Sequence, residues 1–214
     1  LKTPLTAVSG AAQALEKDPN NPQWVQTIRS ESQRLQRFFD DLLDMTRIEA
    51  GAIVPQFEAT DLTDATVAAF HDVKGVRETH RIDLAVPPTL PFVRTDPSLL
   101  HHILINLVDN AAKYSPARST IRAEARREKQ GIVLAILDEG PGLPAGREAE
   151  LFETFTRVEG TDRTGGTGLG LAIVKGFANA LGIEARAANR ADRTGASLTL
   201  LFPDSLVVDP KAGQ

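Results

Sequence analysis

Apolar residues at the start of the chain recur at intervals of four and three. Leu1, Leu5, Val8, Ala12 and Leu15 form one stripe, and Trp24, Ile28, Leu35, Phe38, Leu42 and Met45 form a second, with Glu31 as a polar intruder. That alternation keeps the apolar positions on one face of an α-helix. Asp18-Pro19-Asn20-Asn21-Pro22 interrupts it with turn formers, and Gly51 follows Arg47-Ile48-Glu49-Ala50 as a helix stop. The pattern predicts an antiparallel helical hairpin over residues 1–51. Such a hairpin cannot bury both stripes by itself, and Phe39 and Leu43 widen the second. A second copy, giving a dimeric four-helix bundle, satisfies them; packing onto the rest of the same chain is the alternative.

From Ala52 the pattern becomes mixed. Asp61 is a helix cap for a segment through Phe70. Arg81–Val86 alternates as a strand ended by Pro87-Pro88. Asp96-Pro97 is an N-cap followed by an N1 proline, and predicts a helix to Tyr114, before Ser115-Pro116. Thr120–Arg127 and Ile132–Leu137 read as strands, the second apolar throughout and therefore central. A short helix is expected after Pro144 and a longer one over 168–181, stopped by Gly182. Ile183–Ala188 and Ser197–Phe202 read as closing strands, and Asp204–Gln214 as a frayed polar tail. The fold class is α+β, divided into a hairpin (1–51), a two-layer α/β unit (52–203) and a tail (204–214).

Composition narrows the chemistry. The 214 residues carry 24 Lys+Arg against 28 Asp+Glu, a net charge of −4 that argues against a nucleic-acid partner. With no cysteine, disulfides, thiolate metal sites and thiol nucleophiles are excluded. No apolar run approaches the roughly 20 residues of a membrane-spanning helix. No signal peptide is evident and the first residue is Leu1, so the sequence reads as a soluble fragment of a longer protein.

Three segments carry candidate chemistry. In Asn106-Leu107-Val108-Asp109-Asn110-Ala111-Ala112-Lys113-Tyr114-Ser115, the two asparagines lie four apart, so both amides leave one helix face with Lys113 close by. Amide oxygen suits Mg²⁺ and lysine suits phosphate. One surface asparagine and one satisfied core amide would explain the same residues. Asp138-Glu139-Gly140-Pro141-Gly142-Leu143 puts a carboxylate at a strand end, where it could accept from the amine of adenine, with glycines allowing close approach of a flat ligand. Alone, it also reads as an ordinary turn. Arg163-Thr164-Gly165-Gly166-Thr167-Gly168-Leu169-Gly170-Leu171 is a glycine-rich approach to a helix N-terminus, a seat for phosphate, although it matches neither a Walker A loop nor a dinucleotide fingerprint.

Taken in order, these segments resemble the N box and the two glycine boxes of the ATP-binding domain shared by sensor histidine kinases, type II topoisomerases, the ninety-kilodalton heat-shock chaperone and mismatch-repair ATPases. Leu151-Phe152-Glu153-Thr154-Phe155-Thr156-Arg157 resembles the kinases' F box, and Leu1-Lys2-Thr3-Pro4-Leu5-Thr6 the end of their H box. Leu43-Asp44-Met45-Thr46-Arg47-Ile48-Glu49-Ala50-Gly51 is also typical of their second dimerisation helix. The chain is thus identified as a member of the sensor histidine kinases, most similar to the transmitter part of the potassium-responsive sensors.

The resemblance implies ATP and Mg²⁺ as ligands and assigns roles. Asn110 would hold the metal. Asn106 would stand where hydrolytic relatives carry a glutamate, leaving water unactivated, and Lys113 would contact phosphate. Tyr114 would pack near adenine, Asp138 would read its amine, and Gly140 and Gly142 would shape the base pocket. A lid over about 157–167, including Arg157 and Thr167, would close on the phosphates, with Gly166, Gly168, Leu169 and Gly170 giving backbone access and Phe152 and Phe155 anchoring it. The phosphorylated histidine would lie two positions before Leu1. His71, His80, His101 and His102 fit no such motif. Thr3, four after that histidine, would orient water during dephosphorylation of the partner. The resemblance further implies a homodimer through the N-terminal helices, a response-regulator receiver domain as partner, and a cytoplasmic fragment of a protein held at the inner membrane by regions outside this chain. The rivals are a hydrolysing ATPase of the same fold, a nucleotide-silent dimerisation or recruitment module, and an anti-sigma-type serine kinase, a class that lacks the hairpin.

Overall fold

The computed structural model describes residues 2–144, 146, 150–153 and 167–208. It divides into two units, Leu1–Arg47 and Ile48–Gln214. In the first, helix α1 (Lys2–Lys17) leads through a turn into α2 (Pro22–Glu49). Asn21 makes that turn. Its Nδ2 donates to the Asp18 carboxylate at 3.1 Å, and its Oδ1 accepts from the Gln23 N–H at 3.0 Å, satisfying a donor that the start of a helix leaves free.

The second unit is built on a five-stranded sheet in the order β2-β4-β5-β7-β6, comprising Arg81–Ala85, Thr120–Glu128, Gly131–Leu137, Ala196–Pro203 and Glu184–Asn189. Only the β2–β4 pairing is parallel. Helices α3 (Leu62–Asp72), α5 (Pro97–Tyr114) and α6 (Gly170–Leu181), with the single-turn α4 (Val76–Thr79), supply the other layer. Ile103, Leu104, Ile121, Leu134, Ile136, Phe177 and Phe202 meet between the layers, each no more than 1% exposed. Side chains of this size contribute roughly 1.5–3 kcal/mol apiece when buried.

The boundaries of α5 follow from its caps. Asp96 Oδ1 accepts from the Ser98 and Leu99 N–H groups at 2.9 and 3.1 Å, and Pro97 takes the position where no N–H is needed. Asp96 Oδ2 also accepts from Gln56 N at 2.8 Å, tying the incoming chain to the start of this helix. Strand β5 is central, as its apolar run requires. Ile132, Leu134 and Ile136 face the helices, while Val133 and Ala135 on the opposite face are only 6% and 3% exposed. Their cross-strand neighbours are Arg126 and Glu124.

Two features depart from the sequence reading. A second small antiparallel sheet joins β1 (Glu58–Thr60), β3 (Phe92–Thr95) and β8 (Val207–Val208). The expected tail therefore does not begin at Asp204: a 3₁₀ turn, Asp204–Leu206, leads into β8, where Val207 and Val208 pair with Val93 and Phe92. After Pro144, a 3₁₀ turn at Glu150–Phe152 is the described helical element.

Candidate functional site

The site is built around the last turns of α5. Asn106 and Asn110 are half-buried on this helix. Asn106 Nδ2 donates to the His102 carbonyl at 3.0 Å, which fixes the amide and turns its oxygen toward α6. A Cβ on Gly170, the first residue of α6, would fall 2.7 Å from that oxygen, so the second glycine segment meets the N box only because Gly170 has no side chain. At the other end of the motif a Cβ on Gly140 would fall 2.7 Å from the Tyr114 carbonyl. The two glycine segments thus bracket the motif, one against Asn106 and the other against Tyr114.

Asp138 closes the arrangement from the end of β5. It is 5% exposed, and its Oδ1 accepts from the Gly140 and Ala196 N–H groups at 2.8 and 3.1 Å. Among the described residues none donates to Oδ2, which leaves one carboxylate oxygen for a ligand's amine. Burial pushes this carboxyl above the ordinary value; the two N–H groups and the Arg190 guanidinium pull the other way. Gly142 adopts φ +81°, and a Cβ there would strike Asn189 Oδ1 at 2.5 Å.

At the start of α6 the N-cap residue Leu169 makes no side-chain cap bond, and the first N–H groups of a helix attract an anion. Thr167 Oγ1 accepts from Leu169 N at 3.2 Å, and Gly168 has φ +74°. Leu169 is 1% exposed. Its side chain anchors the loop in the core rather than facing a ligand. Phe152 is likewise buried, in the 3₁₀ turn packed against α6. Lys113, expected at phosphate, is instead ion-paired with Asp109 one turn back. Both side chains are about one-third exposed, and an i,i+4 pair of this kind is worth only about 0.3–0.5 kcal/mol, so a phosphate could displace the carboxylate. Phe155, Arg157 and Gly166 lie outside the described residues. Thr3 falls in the first turn of α1, in the other unit.

No cluster of histidine and carboxylate ligands able to hold a metal occurs among the described residues. The Asn110 amide makes no contact with them that would occupy its oxygen. One neutral oxygen donor fits Mg²⁺, which can take its remaining positions from a ligand's phosphate and from water.

A separate concavity of about 690 Å³ lies on the sheet face away from the helices, lined by Arg122, Glu124, Arg126, Val133, Ala135 and Thr199 among others. Its charges pair with one another, as in Arg122–Asp83 at 2.7 Å and Arg122–Glu124 at 3.2 Å, and it contains neither asparagine of the N box.

The sequence reading missed Asn189 and Arg190, at the β6–β7 turn, which hold the Asp138–Leu143 loop through bonds to residues 46 and 52 positions earlier. No local pattern marks them.

Residues 1–51 match the His Kinase A (phospho-acceptor) domain, and residues 95–206 match the Histidine kinase-, DNA gyrase B-, and HSP90-like ATPase family. Sensor protein KdpD of Mycobacterium tuberculosis is 33% identical over 212 residues, covering 94% of this chain and 24% of its own length. Sensor protein KdpD of Escherichia coli is 33% identical over 208 residues, covering 95% and 23% respectively. The chain therefore spans about a quarter of the length of these relatives. The crystal structure of full-length ShkA in complex with AMPPNP is similar with a TM-score of 0.73 and 26% identity, over 88% of this chain and 39% of that one. With the hairpin match preceding the nucleotide-domain match on one chain, and the N-box and glycine segments meeting at one end of α5, the protein belongs to the histidine kinase-, DNA gyrase B- and HSP90-like ATPase family, as the KdpD-like transmitter region of a sensor histidine kinase.

Proposed function

We propose that this chain binds ATP with Mg²⁺ between α5, the end of β5 and the start of α6. It passes the γ-phosphoryl group to a histidine two positions before Leu1, from which the group moves to an aspartate of a response-regulator receiver domain. The observation that carries this reading is the Asp138 carboxylate. It is buried, fixed through one oxygen and unshared at the other among the described residues, at the end of β5, and its loop packs through Gly140 against Tyr114, at the end of the helix that carries Asn106 and Asn110. The complex of ShkA with AMPPNP supports an adenine nucleotide as the ligand.

In this reading Asp138 Oδ2 accepts from the adenine amine, and Gly140 and Gly142 let the base lie against backbone. Lys113 exchanges Asp109 for phosphate, and the N–H groups opening α6 hold phosphate oxygens. Asn110 supplies an oxygen to Mg²⁺. Bound there, Mg²⁺ would offset the charge on the β- and γ-phosphate oxygens. Asn106 cannot take a proton at neutral pH, so water beside the γ-phosphate is not activated and ATP persists until an imidazole nitrogen attacks. The new bond joins that nitrogen to phosphorus, and the broken bond releases ADP.

The homodimer forms through α1 and α2, whose Leu5, Phe39, Leu42 and Leu43 are exposed. Thr3 orients water when the regulator is dephosphorylated. Among the described residues no helix is long and apolar enough to cross a membrane, and attachment to the inner membrane occurs through segments outside this chain.

Isothermal titration with ATP·Mg²⁺ tests the binding step: absence of heat at protein concentrations suited to micromolar affinity overturns it. A chain extended upstream to include the histidine, given γ-labelled ATP, is expected to acquire an acid-labile phosphoryl group. ATP turnover without phosphoprotein would instead identify a hydrolysing ATPase.

A further inference from the structure

We infer that Asn189 and Arg190, at the end of β6, are positioning residues that set the adenine-reading loop Asp138–Leu143 in its recognising geometry; this rests on Asp138 reading the base, as proposed above.

Asn189 acts as a two-point clamp. Its Nδ2 donates to the Leu143 carbonyl at 2.9 Å, and its Oδ1 accepts from Leu143 N at 2.6 Å, so one amide group satisfies both backbone groups of a residue that belongs to no helix or strand. The same Oδ1 occupies the space where a Cβ on Gly142 would lie. Gly142 and Asn189 are therefore one device, the glycine making room for the amide that holds the loop.

Arg190 grips the other end of the loop. Its side chain is 7% exposed, although the turn around it is open. Nη1 donates to the Asp138 carbonyl at 3.0 Å, while Nε and Nη2 donate to the two oxygens of Asp192 at 2.9 and 2.7 Å. The fork-shaped pairing fixes the guanidinium plane, which a lysine could not do. The turn closes through Arg190 N donating to the Gly195 carbonyl at 3.0 Å. A Cβ on Gly195 would fall 2.0 Å from the Asp138 carbonyl oxygen. Asp138 is thus held on its backbone by Arg190 and on its carboxylate by Ala196 N, both from one turn. Arg193 reaches Glu139 Oε1 at 3.0 Å, and the other Glu139 oxygen accepts from Thr120 N at 3.0 Å, so the residue after Asp138 is pinned as well.

These contacts act on base recognition in two separable ways. Asn189 and the Arg190 fork set where the carboxylate points. The Arg190 charge also favours the ionised carboxylate, the form that accepts from an amine.

The test is calorimetric titration of ATP and GTP into the unmodified chain, Asn189→Ala, Arg190→Gln and Arg190→Lys, repeated from acid to neutral pH. For Asn189→Ala and Arg190→Gln, the preference for ATP over GTP is expected to fall about tenfold, the worth of one misplaced hydrogen bond. Affinity for ATP weakens as pH falls and the carboxylate protonates. Arg190→Gln is expected to move that weakening to higher pH, whereas Arg190→Lys keeps the charge and leaves it in place while still losing selectivity. A merely structural contribution would weaken ATP and GTP alike and shift no pH profile. Should Arg190→Gln fail to fold, Asn189→Ala, at an exposed position, decides. If the unmodified chain does not prefer ATP, the reading of Asp138 itself fails. If it does, and folded Asn189→Ala keeps the preference undiminished, the positioning inference is overturned.

Discussion

The two units solve the problem of apolar burial differently. In the hairpin, Leu5, Val25, Phe39, Leu42 and Leu43 are 39–59% exposed, and Ala11 and Met45 are the buried apolar residues among those described. In the sheet unit, α5 and α6 alone bury Leu100, Ile103, Leu104, Leu107, Val108, Ile173, Val174, Phe177 and Leu181. One core is complete within its own chain. The other leaves an apolar stripe exposed, which in the proposed dimer a second copy covers. Where the core is internal, stability belongs to the unit itself; where it is shared, stability depends on protein concentration.

The largest effect should come from the closed core. Phe177→Ala is expected to cost the sheet unit about 3–5 kcal/mol in urea unfolding, whereas Phe39→Ala in the hairpin should leave that transition unmoved and instead weaken self-association in sedimentation equilibrium. Equal losses in both variants would erase the distinction between the units. ATP·Mg²⁺ at a hundred times the dissociation constant should stabilise the sheet unit by about 2.7 kcal/mol, raising its Tm, and leave the hairpin transition where it was. Asn110→Ala, which removes the side-chain oxygen, is expected to remove most of the Mg²⁺-dependent part of that shift, and an unchanged metal dependence would count against Asn110 as the ligand. Gly170→Ala would press a methyl group onto Asn106 Oδ1, and should lower phosphoryl transfer more than ATP affinity, as single-turnover kinetics would resolve.

The smallest effect concerns acid. The carboxyl of Asp138 is raised above its ordinary 3.8 in the folded chain, chiefly by burial. The folded state then holds the proton more tightly than the unfolded one, and stability falls as pH rises from 3.8 through the raised value. Asp138→Asn keeps an oxygen for the Gly140 and Ala196 donors and removes the buried charge. It should raise Tm modestly at neutral pH, and the gain should vanish below the ordinary carboxyl value. The same variant should lose discrimination between ATP and GTP.

What the sequence disclosed was local. The ends of α5 are written in Asp96-Pro97 and Ser115-Pro116, residues that act on their immediate neighbours, and the central place of β5 in its unbroken apolar run. The β3–β8 pairing was hidden because Phe92 and Val208 meet across more than half the chain, and two valines make no strand pattern by themselves. The place of Lys113 in its motif points to phosphate, while its contact in the structure is set by Asp109 on the same helix. Asn189 and Arg190 were invisible for a further reason. An Asn-Arg pair at a strand end is ordinary, and its meaning comes only from the loop that folds against it.

The central strand hydrogen-bonds to β7 along its whole length, and both the carbonyl and the carboxylate of Asp138 lean on the turn that precedes β7. A truncated chain stopping after Gly182 would retain all the sequence boxes and still lose the residues that hold the Asp138–Leu143 loop. The smallest competent fragment must run through Pro203, because the final hairpin serves as scaffolding for a residue more than fifty positions upstream.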